Sequence, residues 1–468
     1  MGWLLTVPVF AGQIFAPGNL VVSVEGNGVV GAGSGPYTDN QASPFSLFQY
    51  APTGTSSAAY VSTVVLPQTA SGANKPVSAE YGSSSEGTLQ LSTNGQYLVV
   101  MGYGVNAATF NANPGSFSLV NSNTALGQSG SVQGQSYTAV PRVVAFIDAN
   151  GNVNSTTAVF GVFNGNNPRS AFTVDGTNIY ISGQGNSPDN TGGVFYTTTG
   201  SNSAVPITGN DTTGKTLTQD TRDVQVVNGQ LYVSVDSKEG SGSARSFVGT
   251  LGSGTPTSLA NSGNGPTQLA GTGTSTGKVT LTAAQTNGVN AAGEQINLSP
   301  EGYFFANSTT LYIADSGNGK QDAATNHTGD GGLQKWSLVG GTWVLDYTIA
   351  GGLNLVQNPV VNPADTSGTT GLFGLTGEVV GNQVLLYATN FTIGDTDQTY
   401  LFGVTDLLSA TSLPGGEAFS ILATAPVDSN FKGVAFAPQV PEPASLVLTG
   451  LGLVGLSLIG RRRGRGKK

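Results

Sequence analysis

Val224-Gln-Val-Val-Asn-Gly-Gln-Leu-Tyr-Val-Ser-Val235 places two short apolar runs on either side of an Asn-Gly pair. Asn and Gly tolerate the positive φ angles that a two-residue hairpin turn requires. β-Branched and aromatic residues suit pleated, buried strands. The stretch therefore predicts a β-hairpin.

The same pattern recurs along the chain. Turn pairs flanked by apolar runs occur at Asn94-Gly95, Asp175-Gly176, Asn307-Ser308 and, more loosely, Gly381-Asn382. Further strand-like runs follow these hairpins at residues 193–196, 246–249, 333–338, 343–347 and 400–404. A hairpin followed by two more strands predicts a four-stranded antiparallel sheet, repeated several times.

Repeated sheets of this size predict an all-β fold, a β-propeller of six to seven four-stranded blades over residues 17–438. Residues 431–438 resemble the entry strand of a blade, and their pairing with residues 19–24 would close the ring. Insertions near residues 104–140 and 252–293 could hold the seventh blade. Residues 311–317 with 332–338 resemble propeller domains of exported bacterial proteins. A β-sandwich array or a β-helix is the alternative, since Gly-rich turns suit both.

The composition agrees with turn-rich β structure. The chain has 468 residues, of which 69 are Gly and only 9% are charged. Residues 441–468 hold six basic side chains against one Glu, so residues 1–440 carry a net charge of −14 within a total of −9. An acidic body disfavours nucleic-acid binding. The absence of cysteine excludes disulfides, thiolate metal sites and a Cys nucleophile.

The C-terminal tail has three parts. Pro441-Glu442-Pro443 comes first, an apolar run follows, and Arg461, Arg462 and Arg463 begin a basic end. Residues 444–460 would form a helix of about 26 Å, slightly short of a hydrocarbon core of roughly 30 Å. We therefore predict a C-terminal transmembrane helix over residues 444–460, with the arginines as a membrane stop on the cytoplasmic side and the body outside.

This tripartite tail, residues 439–468, resembles the PEP-CTERM sorting domain of Gram-negative bacteria. The resemblance implies recognition at Pro441, Glu442 and Pro443 by an exosortase-type membrane protease, retention at the inner membrane through the helix, and later transfer to the cell surface or the extracellular matrix. An ordinary C-terminal anchor is the alternative, but it does not explain the Pro-Glu-Pro sequence.

Residues 1–16 are uncharged and apolar, and Val9-Phe10-Ala11 offers small residues for a signal-peptidase site. The basic start of a signal peptide is missing. We interpret the segment as a truncated signal peptide, with a first β-strand as the alternative.

Two Gly-rich motifs, residues 209–216 and 26–31, fit phosphate-binding patterns but lack the helix that such a site needs, so no nucleotide cofactor is predicted.

Candidate catalytic groups are few. His327 is the only histidine, and no Gly-x-Ser-x-Gly sequence accompanies it, so a Ser-His-Asp triad is disfavoured. Carboxylates in or beside the repeat strands could pair as in glycosidases, although nothing in the sequence brings them together; these are Asp223, Asp236, Glu301 and Asp315. No catalytic residue is assigned.

Calcium is the one metal for which oxygen ligands are available. The weak candidates, none of which completes an EF-hand loop, are Asp148, Asn150, Asp315, Asp322, Asp395 and Asp397. Asp and Asn also favour turns by hydrogen bonding to their own backbone, which is the alternative interpretation at each site.

Two functions follow from these observations. The favoured one is a surface or extracellular-matrix protein that binds or scaffolds a polysaccharide or another envelope component, with Trp336, Trp343 and Tyr residues as stacking platforms. The alternative is an exported carbohydrate-active hydrolase or lyase. It would need two carboxylates converging within about 10 Å at the axial mouth, whereas buried tryptophans would weaken the platform hypothesis.

Overall fold

The computed structural model describes residues 14–27, 37–117, 124–186, 189–208, 220–236, 246–259, 265–272, 278–280, 282, 293, 295–317, 331–356 and 367–440. Its strands are β1 (Leu20–Gly26), β2 (Ala42–Thr53), β3 (Ser57–Val65), β4 (Ser78–Glu80), β5 (Gln90–Leu91), β6 (Tyr97–Tyr103), β7 (Arg142–Asp148), β8 (Val153–Val159), β9 (Pro168–Thr173), β10 (Asn178–Gly183), β11 (Gly193–Thr198), β12 (Val205–Pro206), β13 (Thr221–Val227), β14 (Gln230–Asp236), β15 (Ser246–Thr250), β16 (Thr267–Gln268), β17 (Lys278–Thr280), β18 (Gln295–Asn297), β19 (Pro300–Asn307), β20 (Thr310–Asp315), β21 (Gly332–Val339), β22 (Thr342–Ile349), β23 (Thr369–Val380), β24 (Gln383–Thr392), β25 (Tyr400–Leu407), β26 (Ser420–Thr424) and β27 (Ser429–Phe436). One helix, α1 (Ala107–Ala112), and a 3-10 turn (Pro114–Ser116) interrupt them.

The strands form six antiparallel units of four. Unit I is β27-β1-β2-β3 and unit II is β5-β6-β7-β8, and the short strand β4 joins these two into one nine-stranded sheet. Units III to VI are separate sheets, β9–β12, β13–β16, β19–β22 and β23–β26. Strands β17 and β18 pair only with each other. The prediction of an all-β fold built from repeated four-stranded antiparallel sheets is confirmed.

All five predicted hairpins are present, as β5–β6, β9–β10, β13–β14, β19–β20 and β23–β24. At the turn of the β13–β14 hairpin, Asn228 has φ 50° and Gly229 has φ 79°. Both values lie in the left-handed region that a type I′ turn requires, which explains why the Asn-Gly pair stands there.

The predicted pairing between the two ends of the body is also confirmed. β27 pairs antiparallel with β1, with Leu20 opposite Phe436 and Gly26 opposite Ser429. Phe431 of β27 lies edge-on to Phe48 and Tyr50 of β2, at centroid distances of 6.2 and 6.0 Å. The last strand of the body therefore completes unit I beside the first strand.

Successive units pack against each other. β9 contacts β6, β13 contacts β9, β19 contacts β14, β23 contacts β19, β27 contacts β23, and β5 contacts β27. Buried apolar side chains fill each of the six resulting interfaces. Each unit thus buries both of its faces against neighbours, which a single four-stranded sheet could not do alone.

The predicted insertions have different contents. Residues 104–140 carry helix α1 and the 3-10 turn, while β16 and most of the β17–β18 pair fall near residues 252–293. A seventh four-stranded unit is not found in the part of the chain that the structure describes.

Near the N-terminus, Phe15 is fully buried in the interface between units I and II. Residues 1–13 of the predicted signal segment lie outside the described residues.

No helix among the described ranges has the length and apolar character needed to cross a membrane. The predicted transmembrane helix over residues 444–460 lies outside those ranges, as do Pro441, Glu442 and Pro443 and the stop residues Arg461, Arg462 and Arg463.

Candidate functional site

Five charged side chains meet where three units begin. Arg169, Arg222 and Glu301 are the second residues of β9, β13 and β19, the first strands of units III, IV and V. Because these strands pack side by side, equivalent positions near their starts come together. Asp220, just before β13, and Asp236, at the end of β14, complete the Arg222 cluster.

Arg222 lies at the centre of this cluster. Its Nε is 3.1 Å from Asp220 Oδ1, its Nη2 is 3.4 Å from Asp236 Oδ2, and its Nη1 is 3.1 Å from Glu301 Oε1. Arg169 Nη2 contacts the same Asp220 oxygen at 2.7 Å. Two guanidinium groups and three carboxylates thus share one site, in which Asp236 and Glu301 both contact Arg222.

The cluster is largely removed from water. Asp220 and Arg222 keep side-chain exposures of 19% and 13%, while the other three members are almost fully buried. Burial raises the pKa of Glu301 to about 7, although Arg222 opposes the shift. Burial and then the neighbouring Arg222 lower the pKa of Arg169 to about 10. The pKa of Arg222 is raised above its usual value by the three carboxylates, which outweigh its burial.

Hydroxyl groups connect the carboxylates on the side of unit V. Ser299 Oγ donates to Asp236 Oδ2 at 2.6 Å. Ser316 Oγ lies 2.8 Å from Ser299 Oγ and 3.2 Å from Glu301 Oε1. The Ser299 backbone N–H donates to Asp315 Oδ2 at 2.9 Å. Three of the four carboxylates singled out in the sequence, Asp236, Glu301 and Asp315, therefore belong to one hydrogen-bonded network.

The fourth, Asp223, lies elsewhere. It accepts hydrogen bonds from Ser170 Oγ at 3.0 Å, from Gln225 Nε2 at 2.7 Å and from the Gln90 amide. Burial raises its pKa to about 6. Gln90 and Gln225 also line a cavity of about 290 Å³ between the first strands of the units, together with Leu89, Val226, Tyr303, Leu375 and Val434 among others.

Arg169 retains unused donors. Its Nη2 also donates to Gln184 Oε1 at 2.9 Å, but its Nε and Nη1 have no hydrogen-bond partner among the described residues. The side chain is only 4% exposed. A buried guanidinium with unpaired N–H groups is costly unless an acceptor arrives, so the cluster is suited to an anionic ligand group.

The structure also contains a buried acidic cluster that the sequence did not indicate. Glu86 accepts hydrogen bonds from Tyr103 Oη at 2.7 Å and from the Glu80 backbone N–H at 2.5 Å. Lys432 Nζ lies 3.4 Å from Glu25 Oε2. Burial raises the pKa of Glu25, Glu80 and Glu86, that of Glu80 to about 8. Nothing in the sequence distinguishes these glutamates, and only the packing reveals them as buried.

The two tryptophans do not form binding platforms. Trp336 is 2% exposed and Trp343 is 6% exposed, and both pack in the interface between units IV and V. Trp336 Nε1 donates to Gln334 Oε1 at 3.1 Å. The prediction that they stack on sugar rings is therefore wrong, because both side chains are buried in the hydrophobic core and cannot contact a ligand.

The predicted calcium ligands act in turns where the structure describes them. Asp148 Oδ1 accepts the backbone N–H groups of Asn150 and Asn152, both at 2.9 Å. Asp397 Oδ2 accepts a hydrogen bond from the backbone N–H of Gly394 at 2.7 Å. The backbone carbonyl oxygen of Asp395 accepts a hydrogen bond from the side-chain amide of Asn430. No group of three or more His, Cys, Asp or Glu residues in the described ranges is arranged to hold a metal, and Asp322 lies outside them, as do His327 and residues 209–216.

Comparison with solved structures gives only distant similarities. An ancestral GH74 enzyme has 13% identity and a TM-score of 0.34, over 87% of this chain and 39% of that enzyme, so the chain spans about two-fifths of its length. A PL25 ulvan lyase has 10% identity and a TM-score of 0.33, over 89% and 82% of the two chains. Cobalt-substituted Synechocystis ACO has 8% identity and a TM-score of 0.36, over 91% and 93%. Scores this low support no inference.

Sequence comparison is informative at the C-terminus alone. A search of curated proteins finds no match. A family model described as the PEP-CTERM protein-sorting motif matches residues 439–463. The motif implies export, processing by an exosortase, which is a membrane protease, and sorting to the surface. The chain is thus an all-β protein that carries a PEP-CTERM protein-sorting motif at residues 439–463.

Proposed function

We propose that this surface-sorted protein is a binding module for acidic polysaccharide, built on a six-bladed β-propeller whose Arg222 cluster receives a carboxylate or sulfate group of the glycan. The proposal that the ligand is anionic rests on the buried Arg169, whose Nε and Nη1 donors have no hydrogen-bond partner among the described residues. The envelope location implied by the sorting motif supports a glycan as the source of that group.

The propeller assignment rests on the order of contacts. Six four-stranded units follow each other in the chain, each packs against the next, and the sixth packs against the first. The first unit combines β27 from the end of the body with β1, β2 and β3 from its beginning. Joining the chain ends in one blade is an effective way to close a ring of sheets.

The ligand site is an electrostatic one. Arg169 and Arg222 bring two positive charges within contact of Asp220, and both guanidinium planes offer forked donors that suit carboxylate or sulfate oxygens. Asp220 is the most exposed member of the cluster, so an incoming anion would compete with it for Arg169. Binding would then replace one ion pair by another and satisfy the donors left unpaired.

A carbohydrate-active hydrolase or lyase is the second candidate. This candidate is favoured by Glu301, because a pKa of about 7 suits a general acid. The carboxylate of Asp236 contacts the same Arg222 side chain and could act as the second catalytic group. The contact of Arg222 with both groups argues against this candidate, because a salt-bridged pair has little freedom to attack a substrate or transfer a proton to it.

The test compares binding of polygalacturonate with binding of neutral dextran by the purified full chain. We expect binding to polygalacturonate only, weakened about 10-fold or more by Arg169→Gln, since a charged hydrogen bond contributes roughly 1.5–3 kcal/mol. Lys75→Gln removes an exposed charge and serves as the matched control. Equal binding to both polymers, or no loss in Arg169→Gln, would refute the proposal. Cleavage products that disappear in Glu301→Gln would support the enzyme instead.

A further inference from the structure

A third charged cluster is buried between units V and VI, apart from the Arg222 cluster and the acidic cluster around Glu86. Lys335 Nζ lies 2.9 Å from Asp406 Oδ2, and neither side chain is exposed to solvent. Tyr312 Oη donates to Asp406 Oδ2, and Tyr347 Oη donates to Asp406 Oδ1 at 2.7 Å. Burial raises the pKa of the Glu417 carboxyl group, and Asp406 lies close enough that its charge raises this pKa further. We call these five residues the Lys335 cluster.

The β-sheet register explains how the cluster forms. Lys335 of β21 stands directly opposite Tyr312 of β20 on one side and Tyr347 of β22 on the other. The ammonium group therefore lies between two aromatic rings, 5.6 and 5.3 Å from their centroids. Asp406, the penultimate residue of β25, reaches this face from unit VI. A lysine and a carboxylate from different sheets are thus pressed together in an apolar interface.

We propose that Lys335 and Asp406 condense into an intramolecular isopeptide bond that covalently joins units V and VI. The inference rests on the 2.9 Å contact between an amine and a carboxyl group that are both fully buried, and on the two tyrosine hydroxyl groups that donate to that carboxyl group. It is independent of any ligand at the Arg222 cluster.

The reaction balances without a further reactant. A proton moves from the Lys335 ammonium to the Asp406 carboxylate, which leaves a neutral amine and a carboxylic acid. The amine lone pair attacks Cγ of Asp406, a C–N bond forms, and one carboxyl oxygen departs as water. The ammonium and the carboxylate become one secondary amide and one water molecule, with no change in oxidation state.

The surroundings favour this step over a stable ion pair. Removing both charges relieves the desolvation penalty of a buried pair, which is large in an apolar interface. The hydroxyl groups of Tyr312 and Tyr347 donate to the two oxygens of Asp406, where negative charge develops during the attack. Exclusion of water also opposes hydrolysis of the product.

Glu417 is placed to carry the proton. Burial and the neighbouring Asp406 raise its pKa to about 8, so it holds a proton near neutral pH. Its Oε1 is buried without a hydrogen-bond partner among the described residues. It can therefore deliver its proton to the departing oxygen and then take one from the attacking nitrogen, as a general acid–base catalyst.

Trypsin digestion of the full chain followed by mass spectrometry tests the bond directly. No Lys or Arg lies between Lys335 and Lys432. An unlinked chain yields two linear peptides, residues 321–335 and 336–432. A linked chain resists cleavage after Lys335 and yields one peptide, residues 321–432, lighter by one water molecule and with fragments that join Lys335 to Asp406. Recovery of only the two linear peptides would overturn the proposal, and this readout needs no variant.

Two variants test the assigned roles. Lys335→Arg keeps the charge and the trypsin site but has no nucleophilic amine, so it should yield only linear peptides. Glu417→Gln should slow linkage about 100-fold, a typical contribution of acid–base catalysis. Unchanged linkage in Glu417→Gln would overturn the role of Glu417.

The ion pair of Lys432 with Glu25, at 3.4 Å, is an internal control. Apart from Lys432 itself, no described residue donates a hydrogen bond to either oxygen of Glu25, so this pair should remain unlinked. An amide at Lys432 would overturn the part assigned to the tyrosine hydroxyls.

Discussion

Replacing Arg222 by Gln removes the cation that contacts Asp220, Asp236 and Glu301 together. Breaking a buried ion pair by deleting one partner costs about 3–5 kcal/mol, because the other charge is left uncompensated. Arg222 retains 13% exposure, so we expect the lower end, a loss of about 3 kcal/mol of unfolding free energy at pH 8.

The loss should depend on pH through Glu301. Its pKa in the folded protein, about 7, is above its ordinary value of 4.5, so the folded state binds the extra proton and stability falls as pH rises through this window. Without Arg222 this pKa rises further. At pH 6 the variant then holds Glu301 neutral, and its loss of stability should be about 1 kcal/mol smaller than at pH 8.

Urea unfolding at both pH values, followed by tryptophan fluorescence, measures these differences. Arg222→Lys is the matched control, since it keeps the charge and should show a smaller loss with little added pH dependence. A loss in Arg222→Gln below about 1 kcal/mol, or one that is equal at pH 6 and pH 8, would refute the assignment of Arg222 as the shared counterion.

Three further predictions concern the core, the buried acids and the tail. Phe431→Ala should destabilise the body by about 3–5 kcal/mol in urea unfolding, because the ring packs against Phe48, whereas Val427→Ala, at 80% exposure, should change it by less than about 0.5 kcal/mol. The wild-type body should be more stable to heat at pH 5 than at pH 9, because Glu80, with a pKa of about 8, must lose its proton in the folded state; a flat profile would contradict this. Replacing Pro441, Glu442 and Pro443 by alanine should leave the C-terminus uncut in fractionated cells, and normal processing would contradict recognition at this motif.

The hairpins were predictable because their information is local. The pair Asn228-Gly229 specifies a turn by its own backbone preferences, whatever the rest of the chain does. The apolar runs on either side specify strands for the same reason. The pairing of β27 with β1 was also foreseeable, since each end of the series of predicted sheets had one strand without a predicted partner.

The candidate site was only partly predictable. Glu301 and Asp236 stood out as carboxylates near strands, but Arg169 and Arg222 were missed. A comparison of the repeats could have found them, because Arg169, Arg222 and Glu301 occupy the same second position in the first strand of consecutive units. The roles of Trp336 and Trp343 could not be foreseen, since an aromatic residue in a strand faces either solvent or core depending on what packs above it.

The β-hairpins, the repeated four-stranded sheets and the sorting tail can all be predicted from the sequence, because each is specified by neighbours within a few tens of residues. Which charged side chains share a site, and which are buried, depends instead on tertiary packing. Contacts such as Arg222 with Glu301, or Lys335 with Asp406, join residues about 70 to 80 positions apart in different sheets. Their existence depends on how the faces of whole sheets meet, and that is settled only when the interfaces pack.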